Sequence, residues 1–94
     1  MGFRRNLRMK TGARKPLLMY WSAPVHIRVG TGFSEAVVGP EEALEYLTYR
    51  WPARRGPQYL EALRACSAAN ERQISLDLAR DIFIAASAEA GMLD

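Results

Sequence analysis

Two prolines set close together constrain this chain more than any other feature. Pro52 follows Trp51, and Pro57 follows Gly56. A proline disfavours helical geometry at the residue before it, so a helix carrying Leu44 and Leu47 must end near Trp51. A proline is well tolerated in the first turn of a helix, so a second one starts at Pro57. The segment between is of ordinary length for a helix–helix joint. Trp51 is in phase with Leu44 and Leu47, with Ala43 beside them, and its ring is expected to reach the core. The joint therefore accounts for Trp51, Pro52, Gly56 and Pro57. It does not account for the adjacent Arg54 and Arg55, which are read either as solvated charges or as a contact for phosphate or an acidic partner.

The flanking pattern fills in the rest. Gly39-Pro40-Glu41-Glu42 opens the first helix, with two acids at the positive end of its dipole. In the second, Tyr59, Ala62, Leu63 and Cys66 follow helical spacing on one stripe. A break falls at Asn70 to Gln73. Ser75 caps a third helix with Asp77 in its first turn, Ala79, Ile82, Phe83, Ala86 and Ala90 form its stripe, and Gly91 stops it. Upstream, Val25, Ile27 and Val29 alternate with His26 and Arg28, the period of a half-buried strand. Gly30-Thr31-Gly32 is a turn, and Phe33 to Val38 reads as the returning strand of a hairpin whose inward face the pattern leaves open. Leu17 to Trp21 is a candidate extra strand, because a lone hairpin is marginal in water. The expected fold is a small single α+β domain: a β-hairpin or short antiparallel sheet packed against two to three α-helices.

With 94 residues the chain forms one domain. Its apolar runs are too short to span a membrane, and its single cysteine gives no intrachain disulfide, so a cytoplasmic protein is expected. The net charge of +3 is unevenly spread. Residues 1–16 carry Arg4, Arg5, Arg8, Lys10, Arg14 and Lys15 with no acid, whereas the remainder is acidic on balance. This gives a division into a basic flexible N-terminal arm, 1–16, and a domain, 17–94. Met9 and Met19 also offer starting positions, which leaves open whether residues 1–18 belong to the native protein. An arm of this charge attracts nucleic acid without sequence preference.

No constellation of residues points to catalysis. His26, the only histidine, falls on the polar face of its strand and is expected to be half exposed there. One histidine and one cysteine do not make a tetrahedral metal site. Cys66 lies on an apolar stripe, where cysteine behaves as a small hydrophobe. Gly30 and Gly32 lack the third glycine and following helix of a dinucleotide loop. No enzymatic activity and no cofactor are expected; a site assembled from two chains is the remaining route. Tyr46 and Tyr49 sit beside the first helix's stripe, and Ile84 on the expected wet face of the third, which makes these residues candidate interface positions. Open sheet edges point the same way.

The stretches "YWSAPVHIRVG", "EEALEYLTYRWP", "RGPQYLEALRAC" and "ARDIFIAASAEAG" resemble Domain of Unknown Function family 982, short uncharacterised proteins of alphaproteobacteria. The matching positions are Trp21, Pro24 and Val25; Glu42, Ala43, Leu47, Trp51 and Pro52; Gly56, Tyr59, Ala62 and Cys66; then Ala79, Arg80, Phe83, Ile84, Ala86, Glu89 and Ala90. The resemblance covers roughly residues 20 to 92. It implies a small domain with a hairpin and a helical half, and carries over no activity. The expected function is a non-enzymatic protein-interaction or regulatory module, with an unknown protein or a second copy as partner. The alternative is nucleic-acid binding through the arm, helped by Arg54 and Arg55.

Overall fold

The computed structural model describes residues 19–94. The basic arm, with Arg4, Arg5, Arg8, Lys10, Arg14 and Lys15, lies outside the described residues. Five elements follow in chain order: β1 Val25–Arg28, β2 Ser34–Val37, α1 Pro40–Tyr49, α2 Pro57–Asn70 and α3 Leu76–Glu89. The strands form a two-stranded antiparallel sheet, with Val25 opposite Val37 and Arg28 opposite Ser34. The helices lie against the sheet face that carries Val25, Ile27 and Val37, all three buried. Val37 resolves the inward face of the second strand. Phe33, of the same parity, falls beyond the strand and is 89% exposed.

Of the segment expected as an extra strand, the described part carries no strand. Leu17 and Leu18 lie outside the described residues, and Met19 to Trp21 form only a flank, with the Trp21 amide donating to the Val38 carbonyl at 2.8 Å. Gly39 is needed beside it, because a Cβ there would sit 2.5 Å from the Met19 carbonyl oxygen. The second strand of the sheet's support comes instead from the far end of the chain. The Arg28 amide donates to the Met92 carbonyl at 2.8 Å and the Asp94 amide to the His26 carbonyl at 3.0 Å, with a bridge between Ile27 and Leu93. Met92–Asp94 thus run along the outer edge of β1, which corrects the expectation of two open edges.

What brings this segment there is the end of α3. Gly91 takes a left-handed φ of 72°, its amide donates to the Ala88 carbonyl, and the Met92 amide donates to the Ser87 carbonyl. This is the αL stop that a glycine favours, with the following residue apolar and buried. At the other end Ser75 caps α3 as its sequence implies, accepting from the Leu78 amide at 3.0 Å. The break after α2 has the same left-handed form, with Arg72 at φ 64° in the place usually given to glycine.

The core centres on Phe83, which is fully buried. Its ring lies 5.6 Å from that of Trp21 and 5.7 Å from that of Trp51, and Trp51 in turn lies 6.3 Å from Tyr59. These tilted aromatic pairs join the N-terminal flank, the α1–α2 joint, α2 and α3. Ala62 and Cys66 of α2 and Ala43 and Leu47 of α1 complete the same cluster. A smaller cluster, Ala65, Ala69 and Ala79, lets α2 and α3 approach closely. Replacing Phe83 with alanine removes the common ring of this cluster and is expected to cost about 3–5 kcal/mol, measured by urea unfolding. That is a large share of what a domain of this size has, on the order of 4–11 kcal/mol.

Candidate functional site

The candidate contacts in the joint between α1 and α2 are held by structural partners. Trp51 is buried, so the surface there consists of Pro52, Ala53, Arg54 and Arg55. Tyr59 donates through its hydroxyl to the Leu47 carbonyl at 2.9 Å, which satisfies one of the groups left open at the end of α1. Arg55 folds back over the Tyr59 ring at 4.5 Å and donates through Nε to the Pro52 carbonyl at 3.1 Å. Arg54 is exposed.

The two arginines border a groove of about 440 Å³ with Gly56, Glu89 and Ala90, at the start of α2. A helix start attracts anions, but this one already has one. Gly56 has no side chain to cap α2, and the Glu89 carboxylate accepts from the Gln58 amide at 3.1 Å instead. A Cβ on Gly56 would lie 2.5 Å from that carboxylate. Glu89 and Gly56 are therefore two halves of one cap, with the accepting carboxylate 31 residues beyond the Gln58 amide it bonds. A phosphate or acidic group approaching Arg54 and Arg55 would meet this carboxylate, which disfavours the joint as an anion site.

Tyr46, expected at an interface, is 8% exposed. The reason lies across the domain: its hydroxyl donates to Glu35 at 2.6 Å, so the ring can lie inward with its polar tip satisfied. Arg50 closes the set with a two-pronged ion pair to the same carboxylate, at 2.8 and 2.7 Å, and lies over the Tyr46 ring at 4.7 Å. Glu35 sits on β2 opposite Ile27, so this cluster ties the hairpin to α1. The Arg50 and Tyr46 hydrogen bonds hold the Glu35 carboxyl down at about 2. Burial, with the Glu35 hydrogen bond next, pushes the Tyr46 phenol up to about 12. Ile84 is also drawn inward, half-buried against the main core cluster rather than on a wet face. Tyr49 remains a surface residue, 82% exposed.

The remaining chemistry-bearing residues do not converge. His26 is exposed on the outer sheet face. Cys66 is fully buried, and desolvation pushes its thiol up to about 12, far from the thiolate a nucleophile needs. Among the described residues no group of three or more His, Cys, Asp or Glu is placed to hold a metal ion. Among them, too, no helix is long and apolar enough to cross a membrane. A second groove, of about 340 Å³, is lined by Met19, Tyr20, Val38, Gly39, Glu41, Glu42 and Glu45. Of these acids, Glu42 accepts from the Val38 amide at 3.1 Å.

Among the described residues, the outer edge of β2 is a surface feature left over. In an antiparallel pair each residue's N–H and C=O point to the same side. His26 and Arg28 turn these groups towards Met92 and Asp94, so their cross-strand partners Ala36 and Ser34 turn theirs outward. The Val38 carbonyl and amide are taken by Trp21 and Glu42, and the Gly32 amide by the Val29 carbonyl. Ser34 and Ala36 are the stretch between these closures. Sequence patterning placed strands here but not this asymmetry, whose cause is Met92–Asp94.

Two variants test these clusters. Glu89→Ala is expected to cost about 1 kcal/mol by loss of the cap, and Gly56→Ala to cost a similar amount in the wild-type chain but much less in the Glu89→Ala background, read as a double-mutant cycle in urea. Glu35 is held below its ordinary value of 4.5 in the folded chain. Its contribution is therefore complete above that value and is lost as pH falls towards about 2. Glu35→Gln should lower the melting temperature at neutral pH, and the gap to wild type should close over that acid range.

The comparisons with known proteins agree with this picture. No curated protein matches the chain. A solved structure does: the NMR structure of Agrobacterium tumefaciens protein Atu1219, 35% identical, covering 80% of this chain and 75% of that one, with a TM-score of 0.69. The family model described as protein of unknown function, DUF982, matches residues 23–93. The matched stretch contains residues just described as partners in caps, ring stacks and core contacts, among them Trp51, Gly56, Tyr59, Phe83 and Glu89. With the model spanning nearly all the described residues, the chain belongs to the DUF982 family of proteins of unknown function.

Proposed function

We propose that this domain is a non-enzymatic interaction module that offers the outer edge of β2 to another extended chain. The observation that carries this reading is the unequal treatment of the two sheet edges. The edge of β1 is taken up by Met92–Asp94, whereas Ser34 and Ala36 on β2 turn their backbone groups outward. An extended segment laid along such an edge gains main-chain hydrogen bonds, and neighbouring side chains set its preference. Phe33, the most exposed large apolar residue described, offers such a neighbour next to the strand's own end. The titratable groups support a binding rather than a catalytic role. Glu35 is saturated by Tyr46 and Arg50, Glu89 caps a helix, and Cys66 is buried.

Ala36→Pro separates the edge from the fold. Proline removes the outward N–H of residue 36 and no ladder hydrogen bond to β1, the setting in which strands tolerate it. Immobilised full chain and the variant are compared for what each retains, further copies of the chain included, and retained complexes are read by hydrogen exchange at residues 33–37. The expected result is retention by the wild type with slowed exchange at Ser34 and Ala36, and loss of both in the variant at unchanged circular dichroism. Retention that ignores Ala36→Pro, protection that maps elsewhere, or no retention by either chain overturns the proposal. Ala36→Lys, which keeps the N–H and leaves the side chain on the outer face, serves as the folding control and should still bind.

A further inference from the structure

We infer that the occupant of this edge is a second copy of the chain, paired β2 to β2 about a two-fold axis through Glu35. The inference rests on the interaction-module reading above and goes beyond it by fixing the partner and the register.

The free stretch is self-complementary in only one way. Setting Ser34 opposite Ala36 of the partner copy makes each exchange its outward N–H and C=O with the other, so every group the edge presents finds a partner. Sliding the partner one pair in one direction sets Ala36 opposite Ala36 and Ser34 opposite Val38. The backbone groups of Val38 are already held by Trp21 and Glu42. Sliding it the other way sets Ala36 opposite Gly32, whose amide is held by the Val29 carbonyl. Both alternatives leave outward groups of the edge without a partner, which is the costly outcome.

The same register treats the flanking side chains favourably. Phe33, 89% exposed in the single chain, comes opposite Val37 of the partner copy on the helix-bearing face, at the margin of that copy's core. Ser34 and Ala36, both small, meet on the outer face and leave the backbones free to approach. The two Glu35 residues come opposite each other, an arrangement that is unfavourable for bare carboxylates. Each arrives with its own Arg50 fork and Tyr46 hydroxyl, so four charges of alternating sign meet rather than two of one sign. Because the other sheet edge is closed by Met92–Asp94, pairing stops at two chains. The contact is short, which makes it a weak and reversible dimer.

Sedimentation of the full chain up to about 1 mM, the range in which weak two-chain contacts register, tests the partner. A monomer–dimer equilibrium is expected, weakened roughly tenfold or more by Ala36→Pro, which removes one hydrogen-bond donor from each chain. Mixed oxidation tests the register. Ser34→Cys and Ala36→Cys chains, mixed, should form a disulfide between unlike chains much faster than either forms with itself, since directly opposed Cα atoms of such a pair lie about 5.5 Å apart. A monomer throughout, or a dimer whose cross-linking shows no preference for unlike chains, overturns the inference. A monomer that still retains a foreign protein through residues 33–37 would sink the second copy and leave the module reading standing. Absence of protection at those residues in every complex would sink both.

Discussion

The contact on which the rest of the structure depends is Phe83 between two tryptophans. Trp21 precedes the sheet, Trp51 ends α1, and Phe83 sits in the middle of α3. None of these segments has enough apolar surface to fold alone, and a two-stranded hairpin is marginal by itself. The shared ring makes them interdependent. Once Phe83 is seated, Trp51 fixes the angle of the joint, Tyr59 can reach the last turn of α1, and α3 delivers Met92 to the edge of β1. A small domain with few large side chains gains its cooperativity this way rather than from the volume of its core.

Around that centre the domain satisfies backbone groups at the ends of its elements with side chains from other elements. Glu89 supplies the cap that Gly56 lacks, Tyr59 bonds the end of α1, Glu42 reaches back to Val38, and Arg80 donates to the carbonyls of Ala23 and Pro24 at 2.8 and 3.2 Å. Each bond stitches two elements while satisfying one. These polar residues therefore do not gather into a site: their chemistry is spent on backbone groups.

Local signals in the sequence were enough for the hairpin and the three helices. Pro52 and Pro57 bound the joint, Ser75 and Gly91 bracket α3, and Gly30, at φ 61°, marks the hairpin turn. What could not be read depended on partners distant in sequence. Tyr46 looks like a surface tyrosine until Glu35, 11 residues earlier, offers its hydroxyl an acceptor. Ile84 looks wet until the helices are docked. The closure of β1 by Met92–Asp94 has no local signature, since three residues after a helix stop carry no strand pattern.

The closure of β1 also sets the valence of the molecule. With Met92–Asp94 laid along β1, that side turns outward only the backbone groups of Leu93, and the pairing proposed above ends with its first partner. The three closing residues hold on by few bonds, with Asp94 paired to Arg28 at an exposed 3.1 Å contact. If they fray, the hairpin gains a second sticky side and becomes a divalent unit, able to add strands without limit. In the pairing proposed above, a few residues after the last helix would therefore separate finite assembly from polymerisation.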